Sequence, residues 1–323
     1  MQYVVLLGAG FSRNWGGWLA SEAFEYLLGT RELDARTKSV LWKYKDRGGF
    51  EDALADLQDD LTKRKNADAG KRLELMQKAI SQMFQDMDQA FADIEFEQQQ
   101  FRGYTVARFL TRFDAIFTLN QDTLLERRYV ENVPFLSEGR WTGYQFPGMG
   151  RHPGQNPIHD KIGTWSPASD GEVQLNKNLQ PLIKLHGSWN WTTGGGHPLL
   201  IMGGNKAREI SQHSILSWNF DRFREFLGRP EIRLMVIGYS FRDPHVNQII
   251  FDAVDRGHIE LFIIDPLGVD VLNENRNPVA LITAESPQFQ KMKPSLIGAS
   301  RRSMREIFGF DRAEFGKVMR FFQ

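Results

Sequence analysis

Tyr3-Val4-Val5-Leu6-Leu7-Gly8-Ala9-Gly10-Phe11-Ser12 follows only two residues at the start of the chain and sets the reading of everything after it. A short apolar run with two valines passes straight into a Gly-Ala-Gly turn, the pattern of a buried strand that ends abruptly. Apolar spacing then predicts a helix over about residues 17–28. The two glycines suit a backbone that approaches a phosphate closely, and a helix N-terminus behind them offers N–H groups to an anion. Arg13 breaks the G-x-G-x-x-G fingerprint at its last position, so a plain strand-to-helix turn is an equal reading of this segment alone.

The same grammar recurs along the chain. Residues 114–119 (DAIFTL) read as a second strand, with Asn120-Gln121-Asp122 at its carboxyl end and a helix from near Thr123. Residues 182–185 (LIKL) give a third strand, ending in His186-Gly187-Ser188, and residues 199–202 a fourth. Residues 232–237 and 260–264 complete the set, separated by a helix over 244–256. Apolar runs alternating with helices predict an α/β fold: a Rossmann-like, mostly parallel sheet with helices on both faces. Two stretches depart from the pattern. Residues 32–110 are rich in Gln, Asp, Lys and Leu at helical spacing, a helical insertion; residues 134–181 carry Gly, Pro, aromatic residues and Asn, a loop-rich insertion with short strands. Both are expected within one domain spanning residues 1–323.

Composition removes several function classes. Forty Lys and Arg balance forty Asp and Glu, so no basic excess points to nucleic acid or an anionic membrane. The chain has no cysteine, which excludes disulfides, thiolate zinc sites and covalent cysteine chemistry. Met1 leads into the first strand without a charged leader, and no apolar run approaches roughly 18 residues. A cytoplasmic protein without signal peptide or membrane span is expected.

In an open parallel sheet, ligands bind outside the carboxyl ends of the strands. Four runs end in candidate residues: Gly8 to Ser12, Asn120 to Asp122, His186 to Ser188, and Gly238-Tyr239-Ser240 with Asp243 and His245 just beyond. Asn120 and His186 are the informative pair. Cleaving a nicotinamide–ribose bond passes through an oxocarbenium-like cation, and nicotinamide leaves as a neutral molecule. A strand-end Asn holds ribose hydroxyls or a water, and a neutral His accepts a proton near neutral pH. Ser240 offers a hydroxyl to a phosphate or ribose oxygen. Asp265 accepts from adenosine ribose hydroxyls or caps the turn it makes with Pro266. Asp243 either pairs with His245 or caps the following helix. His152, His159, His197, His213 and His258 lack metal-ligand spacing and read as surface or structural residues, so no metal site is expected. Trp141, Trp165, Trp189, Trp191 and Trp218 serve packing, or else stacking of bases.

These clusters, in this order, resemble the sirtuin-like NAD+ hydrolases best known from bacterial anti-phage defence. The matching residues are Gly8-Ala9-Gly10-Phe11-Ser12, Thr118-Leu119-Asn120-Gln121-Asp122-Thr123-Leu124-Leu125-Glu126, Lys184-Leu185-His186-Gly187-Ser188 and Gly238-Tyr239-Ser240-Phe241-Arg242-Asp243. The resemblance implies hydrolysis of NAD+ to nicotinamide and ADP-ribose, with Asn120 and His186 as the essential pair and NAD+ as substrate rather than cofactor. It places Gly8, Ala9, Gly10, Phe11 and Ser12 around the pyrophosphate and nicotinamide ribose, Asp122 near that ribose, and Gly238 and Ser240 on the adenosine side. Gly187, Ser188 and Asp265 are counted with the ligand-binding residues. The four zinc-binding cysteines of protein-deacylating sirtuins are missing, which weighs against deacylation and against zinc. By the same analogy an activating sensor partner is expected (a ring ATPase, a short Argonaute or a nucleotide-binding protein), as is an oligomer, with no direct nucleic-acid or membrane contact. An NAD-dependent deacylase or ADP-ribosyltransferase, and a module that senses NAD+ or ADP-ribose without cleaving it, stay open beside the hydrolase.

Overall fold

The computed structural model describes residues 1–46, 49–62, 67–91, 94, 96, 105–152, 162–168, 173–203, 206–273 and 285–323. Its strands are β1 (Gln2–Leu7), β2 (Ala115–Thr118), β3 (Gly143–Gln145), β4 (Met149–Arg151), β5 (Trp165–Pro167), β6 (Leu179–Lys184), β7 (Gly187–Thr192), β8 (Pro198–Leu200), β9 (Ile232–Ile237), β10 (Ile259–Ile264) and β11 (Leu296–Ser300).

Seven of them form one sheet in the order β11-β10-β9-β1-β2-β6-β3, and its neighbours pair in parallel. Successive side chains of a strand face opposite sides of the sheet, so the unbroken burial of Val4, Val5, Leu6 and Leu7 means that both faces are covered. Leaving out the edge strand β3 and counting the others along the chain, their order is 3-2-1-4-5-6, that of dinucleotide-binding sheets. The chain builds outward from β1 through β2 to β6, then returns to the other side of β1 with β9. The crevice of such a sheet opens at that reversal, between β1 and β9.

Register aligns the strand ends. Leu7 stands beside Thr118 and Ile237, Thr118 beside Lys184, and Ile237 beside Ile264. Gly8, Asn120, His186, Gly238 and Asp265 therefore all emerge along one edge of the sheet.

The expected Rossmann-like α/β fold is observed, with differences in its parts. Residues 199–202 are not a fourth strand of the parallel sheet. Pro198–Leu200 instead folds back antiparallel on Gly187–Thr192, closed by the bond from Thr193 N–H to the His197 carbonyl at 2.7 Å, in a second sheet of order β4-β5-β7-β8. An apolar run looks alike in either sheet; the Thr193-Gly194-Gly195-Gly196 turn before it marks a hairpin. The set expected to close with residues 260–264 gains an edge strand, Leu296–Ser300, whose half-exposed residues lack a buried-strand signature. The helix expected over 17–28 spans Ala20–Gly29, because a single helical turn, Ala9–Ser12, and a 3-10 turn, Arg13–Trp15, intervene and end at Gly16 with φ of 86°.

Within residues 32–110 lie the helices Ala35–Tyr44, Gly49–Thr62, Ala67–Ala90 and Val106–Leu110. Asp34 caps the first by accepting from Thr37 N–H at 2.7 Å, and Thr105 caps the last. Leu41, Leu54, Leu57, Ile80 and Met83 bury into the same core as the sheet, whereas Leu61 is exposed. In the loop-rich stretch, Phe146 packs edge-on against Trp165 and Trp191. These tryptophans serve packing. No helix among the described residues is long and apolar enough to cross a membrane.

Candidate functional site

The two glycine turns at the reversal are built on each other. Gly10 N–H donates to the Gly238 carbonyl at 2.9 Å, and a Cβ at Gly10 would lie 2.7 Å from the Gly238 Cα. A Cβ at Gly238 would lie 2.4 Å from the Gly10 carbonyl carbon, and its φ of 63° is itself a glycine conformation. Gly8 meets the Gly238 carbonyl in the same way, at 2.5 Å. The expectation that these glycines make room for a phosphate thus changes: they make room for the neighbouring strand end. The N–H groups of Gly8 and Phe11 are also spent, on the Ile237 and Gly8 carbonyls at 2.9 and 2.8 Å. Ala9 and Ser240 remain exposed at the rim.

Asn120 is half-buried and ties β2 to the first turn. Its Nδ2 donates to the Gly8 carbonyl and to Ser12 Oγ, both at 2.9 Å. Its Oδ1 accepts no hydrogen bond among the described residues, which leaves one amide face for a ligand. Ser12 is buried and also bonds to Asp122.

Beneath these residues runs a buried polar layer in which sequence reasoning assigns Lys184 and Glu126 no role. Lys184 is 1% exposed and reaches Glu126 Oε1 at 2.8 Å, the Asp122 carbonyl at 2.6 Å and Ser188 Oγ at 2.7 Å. Ser188 donates onward to the Gln121 carbonyl at 3.0 Å. Its hydroxyl is thus committed to holding the Gln121-Asp122 backbone beneath the surface, not turned to a ligand. Gly187, also counted with the ligand residues, has φ of 72°, and its Cβ would strike the Leu199 carbonyl oxygen at 2.1 Å. The hairpin explains this glycine. Burial pushes the Asp122 and Glu126 carboxyls above their usual range, against the pull of the Lys184 charge.

Asp88 reaches the site from the helix Ala67–Ala90. Its carboxylate accepts from Thr123 N–H at 3.1 Å, from the Thr123 hydroxyl and from Trp189 Nε1. Burial, then the nearby Asp122 charge, raise its pKa to about 6. Nothing in the residue pattern of a helical segment distinguishes this carboxylate from the solvated ones around it.

On the other side of the edge, His186 is 3% exposed and faces His245, Nε2 to Nε2, at 2.9 Å. Phe220 flanks both rings, with centroids 6.2 and 5.4 Å away. Burial, then the Lys206 charge, push the His186 pKa down to about 3; burial lowers that of His245 as well. Asp243 occupies the helix N-cap position but its side chain makes no cap bond. It pairs instead with Lys206 at 3.0 Å, and Lys206 also reaches Glu51 at 2.7 Å. Burial opposes ionisation of Asp243, but Lys206 holds its pKa below the usual range. The sequence expectation of no metal site meets a group of three candidate ligands here: His186, Asp243 and His245 bring one ligand atom each within 4.8 Å of one another.

Asp265 follows β10 and accepts from Leu267 N–H at 2.9 Å, so the turn-capping alternative is realised. His152, His197 and His258 are exposed and His213 is half-buried; His159 lies outside the described residues. A cavity of about 290 Å³ lies beside Phe11, lined by Trp15, Leu124, Leu125, Arg128 and Tyr129 among others. Phe11 of the first turn lines it, and neither Asn120 nor His186 does.

The SIR2-like domain model matches residues 114–277, about half of the chain. The chain belongs to the SIR2-like family. Such domains are in general NAD-utilising enzymes. The SIR2-like match takes in Asn120, Asp122, His186, Gly238, Ser240, Asp243, His245 and Asp265, while the turn from Gly8 to Ser12 lies before it. No curated protein matches the chain.

Proposed function

We propose that this SIR2-like chain cleaves NAD+ at the nicotinamide–ribose bond and passes the ribosyl cation to water, yielding nicotinamide, ADP-ribose and a proton. The supporting observation is the register of β2 and β6. Thr118 pairs with Lys184, so Asn120 and His186 leave adjacent parallel strands at the same level, next to the β1/β9 reversal. The bond between C1′ and the nicotinamide nitrogen breaks with both electrons going to nicotinamide, which departs neutral. The cation left behind needs hydrogen bonding and a positioned water more than a strong base. Asn120 is pre-oriented by Gly8 and Ser12, and its Oδ1 is available to a ribose hydroxyl or the water. His186 is uncharged at neutral pH, so its ring has a lone pair to offer the water or a ribose hydroxyl; burial holds its pKa far below neutral, so a proton taken there passes on rather than stays.

In this reading the enzyme is the NAD-depleting effector of an anti-phage system, held silent until a sensor partner or self-assembly activates it. A free NAD+ hydrolase would poison its own cell, which supports restraint. Both routes require an activator that binds the competent state more tightly.

Chromatography of free nicotinamide, with NAD+ alone and then with an acetylated peptide, and with and without co-purified proteins, tests the reading. The expected result is nicotinamide and ADP-ribose in equal amounts without peptide, and none from folded Asn120→Ala or His186→Ala. Turnover only with peptide makes the chain a deacylase or transferase. Intact NAD+ after prolonged incubation with the partner-bound protein makes it a binding module.

A further inference from the structure

His186 and His245 are 59 residues apart in sequence, yet their Nε2 atoms are 2.9 Å apart. A neutral imidazole has one N–H and one lone pair. With both rings protonated at Nδ1, the two Nε2 lone pairs point at a common space. Two nitrogens at that separation, each roughly 2.1 Å from a shared ion, subtend about 90° at it. That is the cis angle of an octahedral site, and a few tenths of an ångström of ring movement opens it toward tetrahedral.

Asp243 supplies the third donor. Its Oδ1 is engaged by Lys206 at 3.0 Å, and its Oδ2 makes no hydrogen bond or ion pair among the described residues. The surrounding charge is mixed: the Asp243 carboxylate favours a cation beside the rings, whereas the Lys206 ammonium, held by Asp243 and Glu51, opposes one. Phe220 packs against both imidazoles, so little ordering remains to be done when an ion arrives. Two imidazoles and one carboxylate select zinc and its first-row neighbours over magnesium and calcium, which favour all-oxygen shells.

We propose that His186 Nε2, His245 Nε2 and Asp243 Oδ2 bind a divalent first-row transition ion such as Zn2+, and that occupancy silences nicotinamide release. The second part rests on the NAD+-cleavage reading: a bound ion holds the His186 lone pair that would otherwise accept the proton. Binding and cleavage then exclude one another.

The test uses the full chain stripped with a chelator, dialysed against Zn2+ and analysed for metal, with Co2+ absorption as a report on the ligand field. One ion per chain is expected, together with Co2+ bands that change in His245→Ala and Asp243→Asn. Zinc affinity should fall by more than ~100-fold in His245→Ala and stay unchanged in His197→Ala, whose ring is exposed. Should His245→Ala fail to fold, His245→Gln gives the same comparison. No ion retained by folded wild type, or binding indifferent to both His245 and Asp243, overturns the site. Nicotinamide release should fall in step with zinc occupancy and return on chelation; undiminished release from the fully loaded protein overturns the inhibition alone. A chain that binds zinc but never cleaves NAD+, with co-purified proteins present and in its assembled state, sinks the hydrolase reading and leaves the site standing.

Discussion

Gly10 and Gly238 touch backbone to backbone: the amide of one donates to the carbonyl of the other at 2.9 Å, and neither position has room for a Cβ. The contact staples β1 to β9 at the reversal of strand order, where a ligand crevice has to open. Gly10→Ala should therefore act through the fold. Its methyl group would sit 2.7 Å from the Gly238 Cα, and a loss of roughly 1–3 kcal/mol is expected, the usual range for overpacking. Gly238→Ala should cost more, since strain at φ of 63° adds to the collision. Chemical denaturation measures both. Gly10→Ala as stable as wild type, with weaker NAD+ binding, would assign the space to the ligand instead.

Lys184 and Glu126 form a buried pair 2.8 Å apart, and the cost of breaking it should far exceed what the pair contributes. Lys184→Met strands the Glu126 carboxylate and releases the Asp122 carbonyl and Ser188. A loss of about 3–5 kcal/mol is expected. Lys184→Met/Glu126→Leu, which removes both charges, should recover much of it. A double variant no more stable than the single one would locate the cost in lost hydrogen bonds to the Gln121-Asp122 backbone rather than in the orphaned charge.

The sheet was legible because its strands are buried on both faces, and continuous apolar runs such as residues 232–237 announce that without help from neighbours. Leu296–Ser300 escaped because an edge strand is half-exposed and carries no such run. At the site, Asn120, His186 and Asp243 were readable from their position after strands. The partners were not. Asp88, Glu51 and Lys206 come from elsewhere in the chain, and no local pattern tells a carboxylate that will be buried from one that stays in water. Gly187 and Ser188 show the reverse error: a motif marks residues as a group, yet one serves a hairpin contact and the other holds a buried lysine.

Asn120→Asp keeps the shape of the side chain and inverts its hydrogen bonding. The amide now donates to the Gly8 carbonyl and Ser12 Oγ at 2.9 Å; a carboxylate would face the carbonyl as one acceptor against another. Nicotinamide release should drop by at least ~100-fold, the scale of losing one positioned polar contact in a transition state. Circular dichroism should still report a folded chain. Near-normal turnover by Asn120→Asp would mean that the bonds to Gly8 and Ser12 have no part in orienting the site.

Asp88 makes stability depend on pH in a window that substitution can isolate. Its pKa is about 6 in the fold, raised by burial and by Asp122, against about 3.9 for an unfolded aspartate. For an acid whose pKa is raised by folding, the unfolded chain gives up the proton first. The stabilising contribution is then complete below about pH 4 and is lost as pH rises through about 6. Two pKa units at about 1.4 kcal/mol each amount to roughly 3 kcal/mol. Asp88→Asn cannot ionise, and it keeps an oxygen that accepts from Thr123 N–H or Trp189. Its stability relative to wild type should therefore climb by roughly 3 kcal/mol between pH 4 and pH 7. His186, Glu126 and the other titrating groups are present in both proteins, so their contributions largely cancel in the difference. The repulsion between Asp88 and Asp122 is already contained in the raised Asp88 pKa and is counted once. Urea midpoints for the two proteins at half-unit pH steps supply the comparison. Parallel curves across that range would show that Asp88 is ionised at little cost, and that its contacts with Thr123 and Trp189 outweigh its burial.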